Sequence, residues 1–178
     1  MNISSVSHAA LVILVSTLVA CTPLATMDSA VHEPAVIFLV RHAEKADSGP
    51  DPRLTAAGHD RATRLAVTLG SAQIAYVHSS DYARTRDTAA PVAAALGLEV
   101  QLYDPRDLPG LAAQLRQTGG RHLVVGHSNT TPALVELLGA KPGVPIDEAG
   151  EYDRLYIVTI ARDGTTDSAL LRYGNSCT

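Results

Sequence analysis

Two histidines and two arginines stand where polar residues cut off apolar runs, and these residue types together suit a phosphoryl group. Arg41-His42 ends the run Val36-Ile37-Phe38-Leu39-Val40, and Gly126-His127 ends His122-Leu123-Val124-Val125. Arg84 follows a shorter apolar run, Ile74–Val77, after the polar stretch His78-Ser79-Ser80-Asp81. Arginine offers a planar fork of donors to phosphoryl oxygens, which a point charge cannot match. Histidine titrates near neutrality and can attack phosphorus or hand it a proton. The loop opening at Gly126 also lets backbone amides approach an anion at a helix N-terminus. Residue types and spacing lead to an anion site with a candidate nucleophile, and stop there.

The elements that must position these groups follow from periodicity. Five consecutive apolar residues at 36–40 predict a strand buried on both faces, which delivers Arg41-His42 to the carboxyl edge of a sheet. Leu54-Thr55 opens a helix with Thr55 as N-cap and Gly70 at its end. Arg61 and Arg64 are expected on its solvated face. Ile74–Val77 is a second strand, followed by a helix from Tyr82 towards Leu96 that Ser80 or Asp81 can cap. Arg84, a cation in the first turn of that helix, opposes the helix dipole and asks for an anion in front of it. Leu98–Tyr103 reads as a third strand, Leu108 to about Gln117 as a helix, and His122–Val125 as a buried fourth strand. A helix capped by Asn129 or Thr130 follows, then two strands, Leu155–Ile160 and Ala169–Tyr173, joined by the turn Asp163-Gly164. This order predicts an α/β fold: a three-layer α/β/α arrangement around a mostly parallel sheet with an antiparallel edge. Arg41-His42, His78-Ser79, Asp104 and Gly126-His127, which directly follow strands, then converge on one edge.

Length and composition bound the possibilities. The 178 residues suit one domain, expected over residues 35–174, and 46% apolar content is globular. A formal net charge of −4 argues against a nucleic-acid partner, although a basic pocket in an acidic protein still suits a small anionic substrate. No motif has the spacing of a zinc hydrolase, and neither metal nor cofactor is expected. Ala9–Ala20 is an apolar run of signal-peptide length, and Leu18-Val19-Ala20-Cys21 resembles the lipobox of bacterial lipoproteins. Residues 1–20 are therefore expected to be a signal peptide, Cys21 the lipidated residue, and 21–34 a tether. No Lys or Arg precedes Arg41, so the usual basic start of a signal is missing. The expected location is the periplasmic side of a bacterial envelope, with Thr22 favouring the outer membrane and the lipid as the sole membrane contact.

Four motifs add a resemblance. Leu39-Val40-Arg41-His42-Ala43-Glu44 is similar to the Arg-His-Gly signature of the histidine phosphatase superfamily, the phosphoglycerate-mutase-like proteins. Leu54-Thr55-x-x-Gly58, Ser80-x-Tyr82-x-Arg84-Thr85-x-x-Thr88-Ala89 and Gly126-His127-Ser128 resemble its later landmarks, in family order. The resemblance implies His42 as the nucleophile that becomes phosphohistidine, with Arg41, Arg84 and His127 holding the transferring group. It implies a small phosphorylated substrate or a phosphoprotein, contacted by Glu44, Ser80, Asp107 and Ser128. Two departures stand out. Ala43 replaces the commoner glycine, and the proton donor is open between Asp104, Asp107 and Glu44, with Asp104 preferred because it directly follows a strand. His78 lies near enough to the same edge to contact substrate. Val125–Asn129 also resembles a hydrolase nucleophile elbow at Ser128, but the closing glycine is Thr130 and no histidine follows His127. The alternative of another class is a lipid-anchored module that binds phosphate esters without turnover. Specificity is expected from loops Ala46–Arg53, Tyr103–Gly110 and Lys141–Asp153.

Overall fold

An unbroken apolar strand is stable only where both of its faces are covered, and the first strand, β1 (Ala35–Arg41), is covered on both. The computed structural model describes residues 33–47 and 49–174. Along the chain follow α1 (Ala56–Leu69), β2 (Tyr76–Ser80), α2 (Ala83–Leu96), β3 (Val100–Tyr103) and α3 (Leu108–Thr118). After these come β4 (Gly120–Gly126), α4 (Thr130–Leu137), β5 (Arg154–Ile160) and β6 (Thr166–Arg172). The strands form one sheet in the order β3-β2-β4-β1-β5-β6. β3, β2, β4 and β1 are mutually parallel, and β5 and β6 add the antiparallel edge. The expected signal peptide, Cys21 and the tether up to residue 32 lie outside the described residues.

Period-two alternation divides the core. Ile37, Leu39 and Val124 pack with Leu111, Leu115, Leu134 and Leu138 of the α3–α4 layer. Phe38, Val40, Leu123 and Val125 pack with Leu65, Leu69, Ala89 and Val92 of the α1–α2 layer. The three-layer arrangement is thus written into consecutive residues of β1 and β4. Register then fixes the functional edge: Arg41 is level with Gly126, and Ser80 with Tyr103.

Several boundaries differ from the periodicity reading. β3 begins at Val100, because the Leu98 N–H bonds back to the Ala93 carbonyl across the left-handed Gly97 and belongs to the helix cap. β6 starts at Thr166, since a solvated edge strand carries no apolar signal over Thr166-Asp167-Ser168. Neither Ser80 nor Asp81 caps α2. Asp51 does so from a distant loop, its carboxylate accepting from the Ala83 N–H at 2.9 and 3.1 Å. The same carboxylate lies 3.6 Å from Arg84, so the anion that Arg84 called for is partly the protein's own. Thr55 caps α1 as expected, accepting from the Gly58 N–H at 3.1 Å. A Cβ at Gly58 would overlap the Glu44 carbonyl, so glycine there lets α1 close against the chain leaving β1.

Candidate active site

His42 leaves β1 with its backbone still in the sheet, its N–H donating to the Gly126 carbonyl at 2.9 Å. The next amide, Ala43 N–H, donates to Thr88 Oγ1 of α2 at 3.0 Å. The Ala43 methyl is buried with Leu54 and Ala62, and its backbone has no positive φ, so the extra carbon relative to glycine is accommodated. His42 Nδ1 lies 2.8 Å from the Ala43 carbonyl. A carbonyl only accepts, so Nδ1 carries the proton and Nε2 keeps its lone pair. Only 3% of this side chain is exposed.

His127 stands opposite, with ring centroids 5.6 Å apart. Its Nε2 is 2.9 Å from Ser80 Oγ. Ser80 gives its own hydrogen to Thr85 Oγ1, while Thr85 donates to the Ser80 and Tyr82 carbonyls. The chain of donors therefore assigns the proton to His127 Nε2 and leaves Nδ1 facing Arg84 Nη2, a long contact of 3.5 Å. Ser80 is thus a support for His127. Gly126 is required for crowding: a Cβ there would meet Thr131, Thr130 and Tyr103 at 2.9 to 3.0 Å.

The two arginines differ in their attachments. Arg84 stacks on the Tyr82 ring at 4.5 Å and reaches towards Asp51 and His127. Arg41 donates from Nη1 to the Asp147 and Glu151 carbonyls at 3.1 and 3.0 Å, and from Nη2 to the Glu148 carbonyl at 2.8 Å. Its guanidinium also lies 4.1 Å from the Tyr152 ring centre. In both arginines Nε is buried without a partner. A buried charged donor with no acceptor is costly, and an oxyanion within reach would supply the missing acceptor.

His42, Arg84 and His127 line one cavity of about 460 Å³ together with Ser128, Tyr82 and Glu148. Arg41 is not among the residues lining this cavity; it is held by the 147–151 loop, and the other sequence candidates also sit elsewhere. Glu44 is taken by Arg61, which is 5% exposed and donates to both carboxylate oxygens at 2.8 to 3.0 Å. Arg61 is therefore a buried partner rather than part of a solvated face, and Glu44 is a strut rather than a substrate contact. Asp104 is held by Arg106, which keeps its carboxyl at about 2, so it has no proton to give at ordinary pH. Asp107 caps α3 through the Gly110 N–H at 3.0 Å. His78 is buried away from the cavity, where its Nε2 lies 3.0 Å from His122 Nδ1 and His122 Nε2 donates to the Gly119 carbonyl. Sequence reasoning passed over Glu148 and Lys45, which line the cavity from loops without regular pattern; Tyr82 was visible inside the Ser80–Arg84 motif.

Electrostatics keep the site's histidines neutral. Burial drives His42 down to about 3, with Arg41, His127 and Arg84 adding to it against the Ala43 hydrogen bond. Burial likewise takes His127 to about 4, helped by Arg84 and Arg41. Burial lowers His78 and His122 as well. Each group is more readily protonated unfolded than folded, so stability is complete above the unfolded value of 6.5 and is lost as pH falls towards 4. For His42 and His127 the loss is roughly 3 kcal/mol each by pH 4, at about 1.4 kcal/mol per unit. Urea unfolding at pH 7, 6 and 5 should show a falling midpoint; a flat midpoint contradicts the buried neutral histidines.

Comparisons with known proteins bear on the fold. Residues 37–105 match the family model described as Histidine phosphatase superfamily (branch 1). No curated protein matches the chain in sequence. Among solved structures, the protein histidine phosphatase SixA in complex with tungstate is 21% identical with a TM-score of 0.62, over 77% of this chain and 96% of that one. The native mycobacterial glucosyl-3-phosphoglycerate phosphatase is 16% identical with a TM-score of 0.59, over 81% of this chain and 100% of that one. A mycobacterial hydrolase is similar at 15% identity and a TM-score of 0.59, over 78% and 97%.

Proposed function

We propose that the chain is a phosphatase of the histidine phosphatase superfamily, whose model matches residues 37–105, and that it cleaves a phosphomonoester or a phosphoprotein through a phosphohistidine on His42. The observation that carries this reading is the pairing of a free Nε2 lone pair on His42 with buried, unpartnered Nε donors on Arg41 and Arg84. Nε2 attacks phosphorus as the bond to the leaving oxygen breaks, and the leaving oxygen takes a proton. Water then attacks the phosphohistidine, regenerating neutral His42 and releasing inorganic phosphate. Arg41, Arg84 and His127 hold the equatorial oxygens and neutralise their charge. His127 meets the incoming anion as a neutral ring, and a phosphoryl oxyanion beside Nδ1 favours its protonation. Ser128 stands at the cavity wall beside His127, in position to contact the same substrate.

The substrate class is supported by two structural neighbours, a protein histidine phosphatase and a glucosyl-3-phosphoglycerate phosphatase. Brief incubation of the protein with a radiolabelled phosphoryl donor should leave acid-labile, alkali-stable label on His42. Saturable phosphate-ester binding without any label or phosphate release would select the binding module instead. We also propose export and lipidation at Cys21, supported by the apolar run Ala9–Ala20 that ends there.

A further inference from the structure

Every carboxylate that the sequence brought forward as proton donor is committed elsewhere: Glu44 to Arg61, Asp104 to Arg106, Asp107 to the start of α3. The cavity that holds His42 nevertheless contains one carboxylic acid among its described lining residues, Glu148. Its side chain makes no hydrogen bond or ion pair among the described residues, whereas its backbone is fixed. The Glu148 carbonyl accepts from Arg41 Nη2 at 2.8 Å, and the carbonyls of Asp147 and Glu151 accept from Nη1. Buried Arg154 fastens the same loop from behind, donating to the Val144 and Pro145 carbonyls and, in a fork, to the Glu151 carboxylate at 2.7 and 2.8 Å. A loop without regular structure thus carries an unpaired acid at a fixed place relative to the nucleophile.

Resting on the phosphohistidine reading above, we propose that Glu148 is the general acid that protonates the leaving group and then the general base for the attacking water. In the first half, Nε2 of His42 bonds to phosphorus, the P–O bond to the leaving group breaks, and the Glu148 carboxyl gives its proton to that oxygen. In the second half, the carboxylate takes a proton from water as the water oxygen bonds to phosphorus and the P–N bond breaks. Glu148 is then protonated again and His42 neutral, so the cycle closes with no other reactant. A bound phosphoryl dianion favours the protonated form of a carboxyl beside it, so the substrate itself assists the first step. Positioned acids of this kind contribute about 10²–10⁴-fold.

The test uses the full chain with Glu148→Gln, Glu148→Asp and Lys45→Gln, Lys45 being the unpaired cationic proton carrier at the cavity wall. Arg41 hydrogen-bonds the Glu148 backbone and meets its side chain only through a longer-range charge interaction, so these variants keep the loop's hydrogen-bond anchors. kcat/KM is measured on a series from nitrophenyl to alkyl phosphates. Glu148→Gln should lose about 10²–10³-fold on alkyl phosphates and less than about tenfold on nitrophenyl phosphates, with partial rescue by aspartate. A loss of equal size along the series, no loss, or leaving-group dependence that follows Lys45 overturns the assignment. Label on His42 is followed in parallel. Its absence from wild type defeats the phosphohistidine reading itself, and its presence with a flat Glu148→Gln series defeats only the role of Glu148.

Discussion

Replacing His42 by alanine should lower kcat/KM by about 10⁴-fold or more on every phosphoryl substrate, because the other histidine lining the cavity among the described residues has both ring nitrogens turned to protein partners. His127 faces the same cavity, but its Nε2 proton is held by Ser80 and its Nδ1 is turned to Arg84. Phosphate affinity should be nearly kept. The imidazole removed is neutral, its value lying near 3, and the cationic donors of Arg41 and Arg84 remain. Calorimetric titration with inorganic phosphate beside steady-state kinetics checks both halves. Unchanged turnover in His42→Ala would refute the covalent mechanism, and lost phosphate binding with lost turnover would place His42 in binding instead.

Arg41→Ala should damage two properties at once, which distinguishes it from a change at Arg84. The substitution removes the donor proposed for the phosphoryl group and also strips partners from three carbonyls of the 147–151 loop. Loss of one buried hydrogen-bonding partner costs about 1–3 kcal/mol, and the loop's partial exposure lets water recover some of it, so about 3 kcal/mol in total is expected. Activity should fall by about 10²–10³-fold, the scale of one oxyanion donor. Lysine should rescue little, since an ammonium cannot span the three carbonyls and lies poorly over the Tyr152 ring. Urea unfolding together with kinetics reads both effects. A variant that loses activity at full stability would mean that the loop does not depend on Arg41.

The parts of this protein that were legible in its sequence are those governed by local pattern. Five apolar residues ahead of Arg41, and three ahead of Gly126, force two-sided burial, and a parallel sheet then brings His42 and His127 to one edge. Thr55 and Gly58 likewise mark the start of α1 through contacts within a few residues. What tertiary structure alone decided is the fate of the carboxylates. Arg61 shares the i, i+4, i+8 line of buried Leu65 and Leu69, unlike solvated Arg64, but its residue type points to solvent. It is buried because the chain leaving β1 places Glu44 against it, 17 residues away. Asp51 caps α2 across 32 residues, and the Glu148 carbonyl meets Arg41 across 107. An isolated carboxylate has the same character at every exposed position. Whether it becomes a strut, a cap or an acid depends on which cation or cavity the folded chain sets beside it, and strand and helix periods carry no record of that.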